Sequence, residues 1–576
     1  MPGTEYHMAK QISTEKRSVK NKTASPSKIN ATYEKWGLAI ILFITFIIYA
    51  GSLSNGFCWD DSQNIISNPE LRGHSGSSFL KLVTTPYVNA YSPISHLTYW
   101  LNYQISQLNP AGYHLTDLIL HLISVILLYR FVYLMTKEKM SALIAAAIFA
   151  LYPIQVESVS WISTRSTRFS VIFMLLTLTI YLRYLREGDK KLLLYAFVLF
   201  ILDCFSKPSA IVLPMLLFII DYFENRKIKF QTIIEKVPFF LVTLAFAWLT
   251  FHFRKDDASI AQLQDAYSVG QKILISLFSA GYYVFHFIFP FRLTPAYGIP
   301  NLERDSFPGE IYPAIITLSL LLIFAIKPGP YRRYFLFALA FYLISLSPVL
   351  QIIPFGRDLV ADRYTYMPMI GLCLLAGVLI KELIQSYKNK FTTIIVFAFL
   401  ILAYLSHSMT EIWKNDVTLF EYAISKRPEN FFSYYFLGSY YTDAGDAKKA
   451  MEYFDVSLKL KPDYVDTYIN RAKAISQSGN LDLALADLEK ARILSPGNAL
   501  VYYSRGTLKG MKGDFAGAHQ DLDSAIILKP DYADAIFNRG MASMSLKDTA
   551  SACTDWKRAF SLGSKPAGQM LQEYCP

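Results

Sequence analysis

Charge is scarce in this chain. Of its 576 residues only 18% are Asp, Glu, Lys or Arg, while 53% are hydrophobic and mean hydropathy is +0.27. That balance excludes a disordered chain and a single soluble enzyme domain with an ordinary charged surface. Cysteine is scarce too. The five residues Cys58, Cys204, Cys373, Cys553 and Cys575 form no metal-binding spacing, and a small disulfide scaffold is excluded with them. There is no Gly-rich phosphate loop, no His/Cys metal cluster and no nucleophile elbow. The net charge of +11 follows the links between apolar runs, so it implies no nucleic-acid partner.

Apolar runs of membrane-spanning length are abundant. They fall near 36–53, 115–135, 140–152, 169–186, 191–205, 208–223, 237–253, 269–289, 310–326, 334–350, 364–380 and 391–408. Aromatic residues reach 15%, as expected where many helix ends meet a bilayer interface. Short basic links (Lys137/Lys139, Arg183/Arg186/Lys190/Lys191, Arg226/Lys227/Lys229, Lys327/Arg332/Arg333, Lys381/Lys388/Lys390) read as cytoplasmic. The longer links 54–114, 153–168, 254–268 and 351–363 read as outer. Residues 1–35 read as a disordered basic cytoplasmic tail, and the run from Trp36 as a retained first helix. Twelve full spans would return the C-terminal region to the cytoplasm. The basic links at 327–333 and 381–390 put it outside, which requires one non-spanning segment. We expect 269–289 to lie along the outer interface or re-enter, leaving about eleven spans; twelve spans with an inside tail is the alternative.

After Trp413 the pattern becomes a repeat. Pro428, Pro462, Pro496 and Pro530 stand 34 residues apart. Ala450, Ala484, Ala518 and Ala552 keep that register, as do Gly438, Ala472, Gly506 and Gly540. Phe454, Leu488, Leu522 and Trp556 supply a large apolar residue in each unit. Small residues recur where two helices cross, and the proline ends each second helix. This is the tetratricopeptide (TPR) period, with four repeats over 431–566. The fourth has Ser564 in place of Pro, as suits a terminal cap. The expected architecture is all-α: a polytopic membrane bundle over 36–409, with a large first outer loop 54–114, then a TPR solenoid over 410–576.

Chemistry-bearing side chains concentrate in the outer links. Asp60 and Asp61 follow the first apolar helix, where two adjacent carboxylates are costly unless they work or pair; a solvated turn is the bland alternative. Glu157 stands among apolar neighbours after another helix, where a lone Glu is more often an interface-facing helix-start residue than a catalyst. Lys207 follows an apolar run and meets a phosphate or snorkels. The late outer link gives Asp358 and then, at its end, Asp362, Arg363 and Tyr364. Arginine binds phosphate with a fork of donors, but a local Asp–Arg pair at a helix start fits the bare pattern as well.

Taken together, these stretches resemble the transmembrane and TPR-containing (TMTC-type) glycosyltransferases of the GT-C class. The matching segments are Phe57–Pro69, Pro93–Leu120, Pro153–Arg165, Ser206–Leu213, Ala361–Pro368 and Trp413–Pro428. Three departures stand out. The family usually has Tyr-Arg-Pro, His-Pro and Ser-Lys-Glu where this chain has Tyr91-Ser92-Pro93, Tyr152-Pro153 and Ser206-Lys207-Pro208. The resemblance implies an inverting transfer of sugar from a polyprenyl- or dolichyl-phosphate donor to Ser/Thr hydroxyls of a protein acceptor. Asp60 would be the base, and Asp61 or Glu157 would position the acceptor or bind a divalent metal such as Mg or Mn. Arg363 with Arg165 or Lys207 would hold the phosphate, Asp362 orienting the guanidinium. Tyr435, Asn470, Tyr503 and Asn538 on the inner face of the repeats would take an acceptor peptide, though Asn there is also ordinary repeat packing. The expected setting is a bacterial inner membrane, with the first loop and repeats on the periplasmic side. A glycan ligase acting on a lipid-linked acceptor and a non-catalytic membrane-anchored scaffold remain alternatives.

Overall fold

The computed structural model describes residues 28–73, 76–86, 91–254, 268–297, 311–350 and 358–575. Most of the expected basic tail, residues 255–267 of the outer link and residues 351–357 lie outside the described residues. Everything regular among the described residues is helical.

The membrane part starts with α1 (Lys28–Ala50). A first loop follows, holding α2 (Gly76–Thr84) and α3 (Pro93–Ser106). Next come α4 (Pro110–Thr136), α5 (Lys139–Leu151), α6 (Val156–Ser160) and α7 (Arg165–Glu187). The chain continues through α8 (Lys190–Ser206), α9 (Leu213–Phe223), α10 (Phe230–Ile234) and α11 (Val237–Arg254). It closes with α12 (Val269–Ile288), α13 (Ile311–Ile326), α14 (Arg332–Leu346) and α15 (Met369–Ile412).

Among the described residues six helices are long and apolar enough to cross a membrane, or seven if the bent pair Lys139–Leu151 and Pro153–Ser160 is one span. The expected count of eleven is not reached by that measure. The reason is length. Helices of 13 to 17 residues such as α5, α8 and α14 rise about 1.5 Å per residue and fall short of the roughly 30 Å hydrocarbon core. Helix α12 is not among the six. Its Ser276, Ser279 and Tyr283 bond to Leu350, Leu359 and Ala361, and its His286 and Phe287 carbonyls accept from Tyr152. It also packs on the apolar helices α13 and α14, where Thr317 donates to the Gly281 carbonyl and Tyr342 to that of Ala280.

Helix α15 holds two of the apolar spans, Met369–Tyr387 and Lys390–Ile412. Straight, its 44 residues would reach about 66 Å. Instead Met369 meets Gln155 at one end, and Ser406 donates to the Leu151 carbonyl near the other. Both contacts fall at the α5–α6 bend, so the segment doubles back. Between them Gly377 crosses α5, where a Cβ would stand 2.3 Å from the Ser141 carbonyl.

The repeats begin at α16 (Asp416–Lys426) and α17 (Phe431–Asp443) and end at α25 (Lys565–Tyr574). Their local cause is periodic. Asp446, Asn480, Asp514 and Asp548 cap the second helices, each accepting from a backbone N–H three residues on. The turns before them need positive φ, supplied by Gly445, Gly479 and Gly513 and, in the fourth repeat, by Lys547. An arginine ladder joins the units. Arg471, Arg505 and Arg539 each fork onto Asp487, Asp521 and Asp555 of their own second helix. Each also reaches back to Asp455, Glu489 or Asp523 of the preceding one. Cys553 and Cys575 form a disulfide that staples the closing helix.

Candidate functional site

The first loop turns sharply after α1. Trp59 adopts φ +55, which a bulky residue rarely does. Its ring stacks on Trp161 at 4.8 Å, and Trp161 stacks in turn on Trp413 at 5.6 Å. The next residue, Asp60, is half-buried, and its carbonyl accepts from Gln63 and Asn64 to start the following turn.

Asp61 is 1% exposed. One carboxylate oxygen accepts from the Cys58 N–H at 3.0 Å, the other from the Ser163 N–H at 2.8 Å and hydroxyl at 2.5 Å. Burial pushes its pKa up to about 7, with those donors holding it back and the neighbouring Asp60 adding to the rise. The carboxylate ties the first loop to the second outer link.

Arg363 lies across that link. Its guanidinium donates to Glu157 Oε1 at 2.6 Å and to Asp358, and its backbone N–H donates to Glu157 Oε2 at 3.1 Å. The guanidinium carbon sits 5.3 Å from the Trp161 ring centroid and 5.0 Å from that of Tyr364. Glu157 and Asp358 thus orient Arg363. Asp362, expected to do so, instead accepts from the Tyr297 hydroxyl at 2.6 Å. Lys207 donates to Thr167 Oγ1 at 2.6 Å. Burial brings its pKa down to about 7, with the charges of Arg363 and Arg168 adding to the fall against Glu157 and Asp203. Arg363 and Arg168 thus both act electrostatically on Lys207.

Arg165 lies elsewhere. It is fully buried, bonded to both Asp117 oxygens, to Asn102 Oδ1 at 2.6 Å, to Thr98 and to the Tyr113 carbonyl. The expectation that it holds phosphate is corrected: its donors are spent binding α3, α4 and α7 together. One helical turn later Arg168, which sequence reasoning passed over, pairs with Asp117 at 2.8 Å and leaves its buried Nε without a protein partner. The signal was present, since Asp117 is a lone acid inside an apolar run.

Among the described residues no three His, Cys, Asp or Glu side chains group as ligands, and both Asp61 and Glu157 already accept protein donors.

On the repeats, Asn470 donates to the Tyr435 hydroxyl at 2.9 Å and to Ser439, and Asn538 donates to Thr507 at 3.1 Å. Tyr503 packs on Tyr532 at 4.9 Å. These positions join one repeat to the next, the arrangement of ordinary repeat packing.

Comparison with known proteins gives this arrangement a context. A protein O-mannosyl-transferase of Caenorhabditis elegans is 23% identical over 447 residues, 73% of this chain and 62% of that protein. Protein O-mannosyl-transferase TMTC4 of Homo sapiens is 23% identical over 490 residues, 73% of this chain and 66% of its own length. This chain is similar to the TMTC proteins along most of its length. It spans less than two thirds of those relatives. A family described as the N-terminal acetyltransferase A auxiliary subunit matches residues 379–497, from within the first apolar span of α15 into the repeats. A thermophilic TPR protein of Thermus thermophilus is 20% identical, with 30% of this chain and 91% of that chain covered at a TM-score of 0.24. The repeat assignment rests on the capped, 34-residue helix pairs themselves.

Proposed function

We propose that this chain is a membrane-embedded protein O-glycosyltransferase that moves a sugar, mannose by the names of its relatives, from a polyprenyl- or dolichyl-phosphate carrier to Ser/Thr hydroxyls. The observation that carries the reading is the shared ring of Trp161. Trp59, which precedes Asp60, stacks on it, and the Arg363 guanidinium sits 5.3 Å from its centroid. The turn that carries Asp60 and the Arg363 guanidinium thus meet at one point, the Trp161 ring. A lipid-phosphate donor meets an acceptor from outside the membrane at such a point.

In this reading Asp60 takes the proton of the acceptor hydroxyl as its oxygen attacks the anomeric carbon. The bond from that carbon to the phosphate oxygen breaks, and the charge growing on the phosphate is met by Lys207 and Arg363, with Arg168 behind them. A single displacement inverts the sugar carbon. Asp61 holds the Asp60 turn against Ser163. The domain layout follows the sequence expectation, 36–409 embedded and 410–576 as repeats that recruit the acceptor. The Cys553–Cys575 disulfide favours an oxidising compartment for the repeats, in keeping with a periplasmic location.

Purified chain in proteoliposomes, given polyprenyl-phosphate mannose and a Ser/Thr-rich peptide, should yield mannosyl-peptide of anomeric configuration opposite to the donor. Product with retained configuration would contradict the single displacement, and transfer only to a lipid-linked glycan would favour the ligase alternative.

A further inference from the structure

The entry into the repeats is fused to the site rather than hung beside it. Leu419, Phe420 and Leu437 belong to the same buried cluster as the membrane helices, while later repeats have cores of their own. Two sets of contacts leave this entry. On one side the Asp416 carboxylate accepts the Trp59 N–H at 2.7 Å, and Phe420 and Phe436 meet the Trp59 ring edge-on at 5.5 Å. The Gly56 N–H and Cys58 thiol also donate to the carbonyls of Lys414 and Trp413. On the other side Tyr422 donates to the Leu293 carbonyl and Asn430 to the Ala296 carbonyl at 3.0 Å. The next residue, Tyr297, donates to Asp362 beside Arg363.

We propose that this entry, residues 413–437, is a positioning clamp on the transfer site. Asp416 holds Trp59 in its left-handed conformation and so fixes Asp60, while Tyr422 and Asn430 hold the strap 293–297 against Asp362 and the Arg363 link. The inference rests on the proposed function of Asp60 and Arg363 and adds a role for the repeats in turnover. A bulky residue keeps a positive φ only where its surroundings over-determine it. Several supports of Trp59 come from beyond residue 412: Trp413 behind Trp161, then Asp416, Phe420 and Phe436. Asp60 is thereby pinned from two directions, through Trp59 to the repeats and through Asp61 to Ser163. Asp416 touches no reacting atom in this account; it is a positioning residue.

The test compares Asp416→Ala with Asp416→Asn in full-length chain carrying Cys204→Ala and Cys373→Ala. Both variants lose the charge at the start of α16, but only Asn keeps an acceptor for the Trp59 N–H. The first readout is alkylation of Cys58, which is buried against Trp413, by a small maleimide. The second is kcat and KM for an acceptor peptide. Asp416→Ala should speed alkylation tenfold or more and lower kcat at least tenfold, with KM changed less than threefold; Asp416→Asn should stay within threefold of the parent in all three. Unchanged Cys58 protection in Asp416→Ala would overturn the clamp, as would an Asn variant as impaired as the Ala one. A loss confined to KM would assign the repeats to acceptor capture alone and also overturn it. Should Asp60→Asn retain transfer, the base assignment fails, while Cys58 alkylation still decides whether Asp416 clamps the loop.

Discussion

Removing the Arg165 side chain would leave Asp117 buried among α3, α4 and α7 with only Arg168 beside it. Breaking a buried pair from one side costs about 3–5 kcal/mol. Arg165→Ala should therefore reduce the yield and melting temperature of detergent-purified protein, and leave lipid-phosphate affinity per folded molecule unchanged. A large loss of affinity with normal melting would return Arg165 to the donor site. Lys207 makes the opposite prediction. With its pKa brought down by burial and by Arg363 to about 7, its ammonium is half formed near neutrality. The donor phosphodiester keeps its charge throughout that range and favours the protonated lysine. Donor affinity should thus rise as pH falls through about 7, and Lys207→Met should weaken binding and flatten the profile between pH 6 and 8. Arg363→Ala should cost donor affinity more than Arg363→Lys, which keeps the charge but loses the fork to Glu157 and Asp358. Equal affinities for all three proteins would exclude Arg363 from the donor site.

Among the elements, α15 packs against α5 with little tolerance. A methyl group on Gly377 would meet backbone, the Ser141 carbonyl at 2.3 Å, and backbone cannot swing aside as a side chain does. Overpacking of this kind costs about 1–3 kcal/mol. Gly377→Ala should lower the melting temperature in detergent, while Gly270→Ala, with nothing within 4 Å of its new Cβ, should not. The repeats were legible from sequence because each unit restates its caps, small crossings and proline at 34-residue steps. The reversal in α15 was legible too, as a basic link at Lys381, Lys388 and Lys390 between two apolar runs. The span count was not, because composition marks an apolar run without saying whether its helix extends far enough. Site positions divide the same way. Asp60, Glu157, Lys207 and Arg363 stood out as charges beside apolar runs. Ser163, Asp358 and Asp416 are polar residues in polar links, and only folding shows that they face Asp61, Arg363 and Trp59.

At the scale of the whole molecule, the first loop and the repeats touch through Gly56–Lys414, Cys58–Trp413 and Trp59–Asp416. They must lie on one side of the membrane that the apolar helices cross. In sealed vesicles, a membrane-impermeant thiol reagent should label Gln63→Cys and Lys448→Cys from the same side and Lys227→Cys from the other. Labelling of the first two from opposite sides would break the account of the site. The central claim is that Asp60 is the base of a sugar transfer, and it is tested most directly by Asp60→Asn in the proteoliposome assay with polyprenyl-phosphate mannose and peptide. The substitution keeps side-chain volume and removes basicity. General-base contributions of about 10²–10⁴ predict a loss of at least a hundredfold in kcat, with lipid-phosphate affinity and melting temperature unchanged. Transfer at the parent rate by folded Asp60→Asn protein would contradict the account.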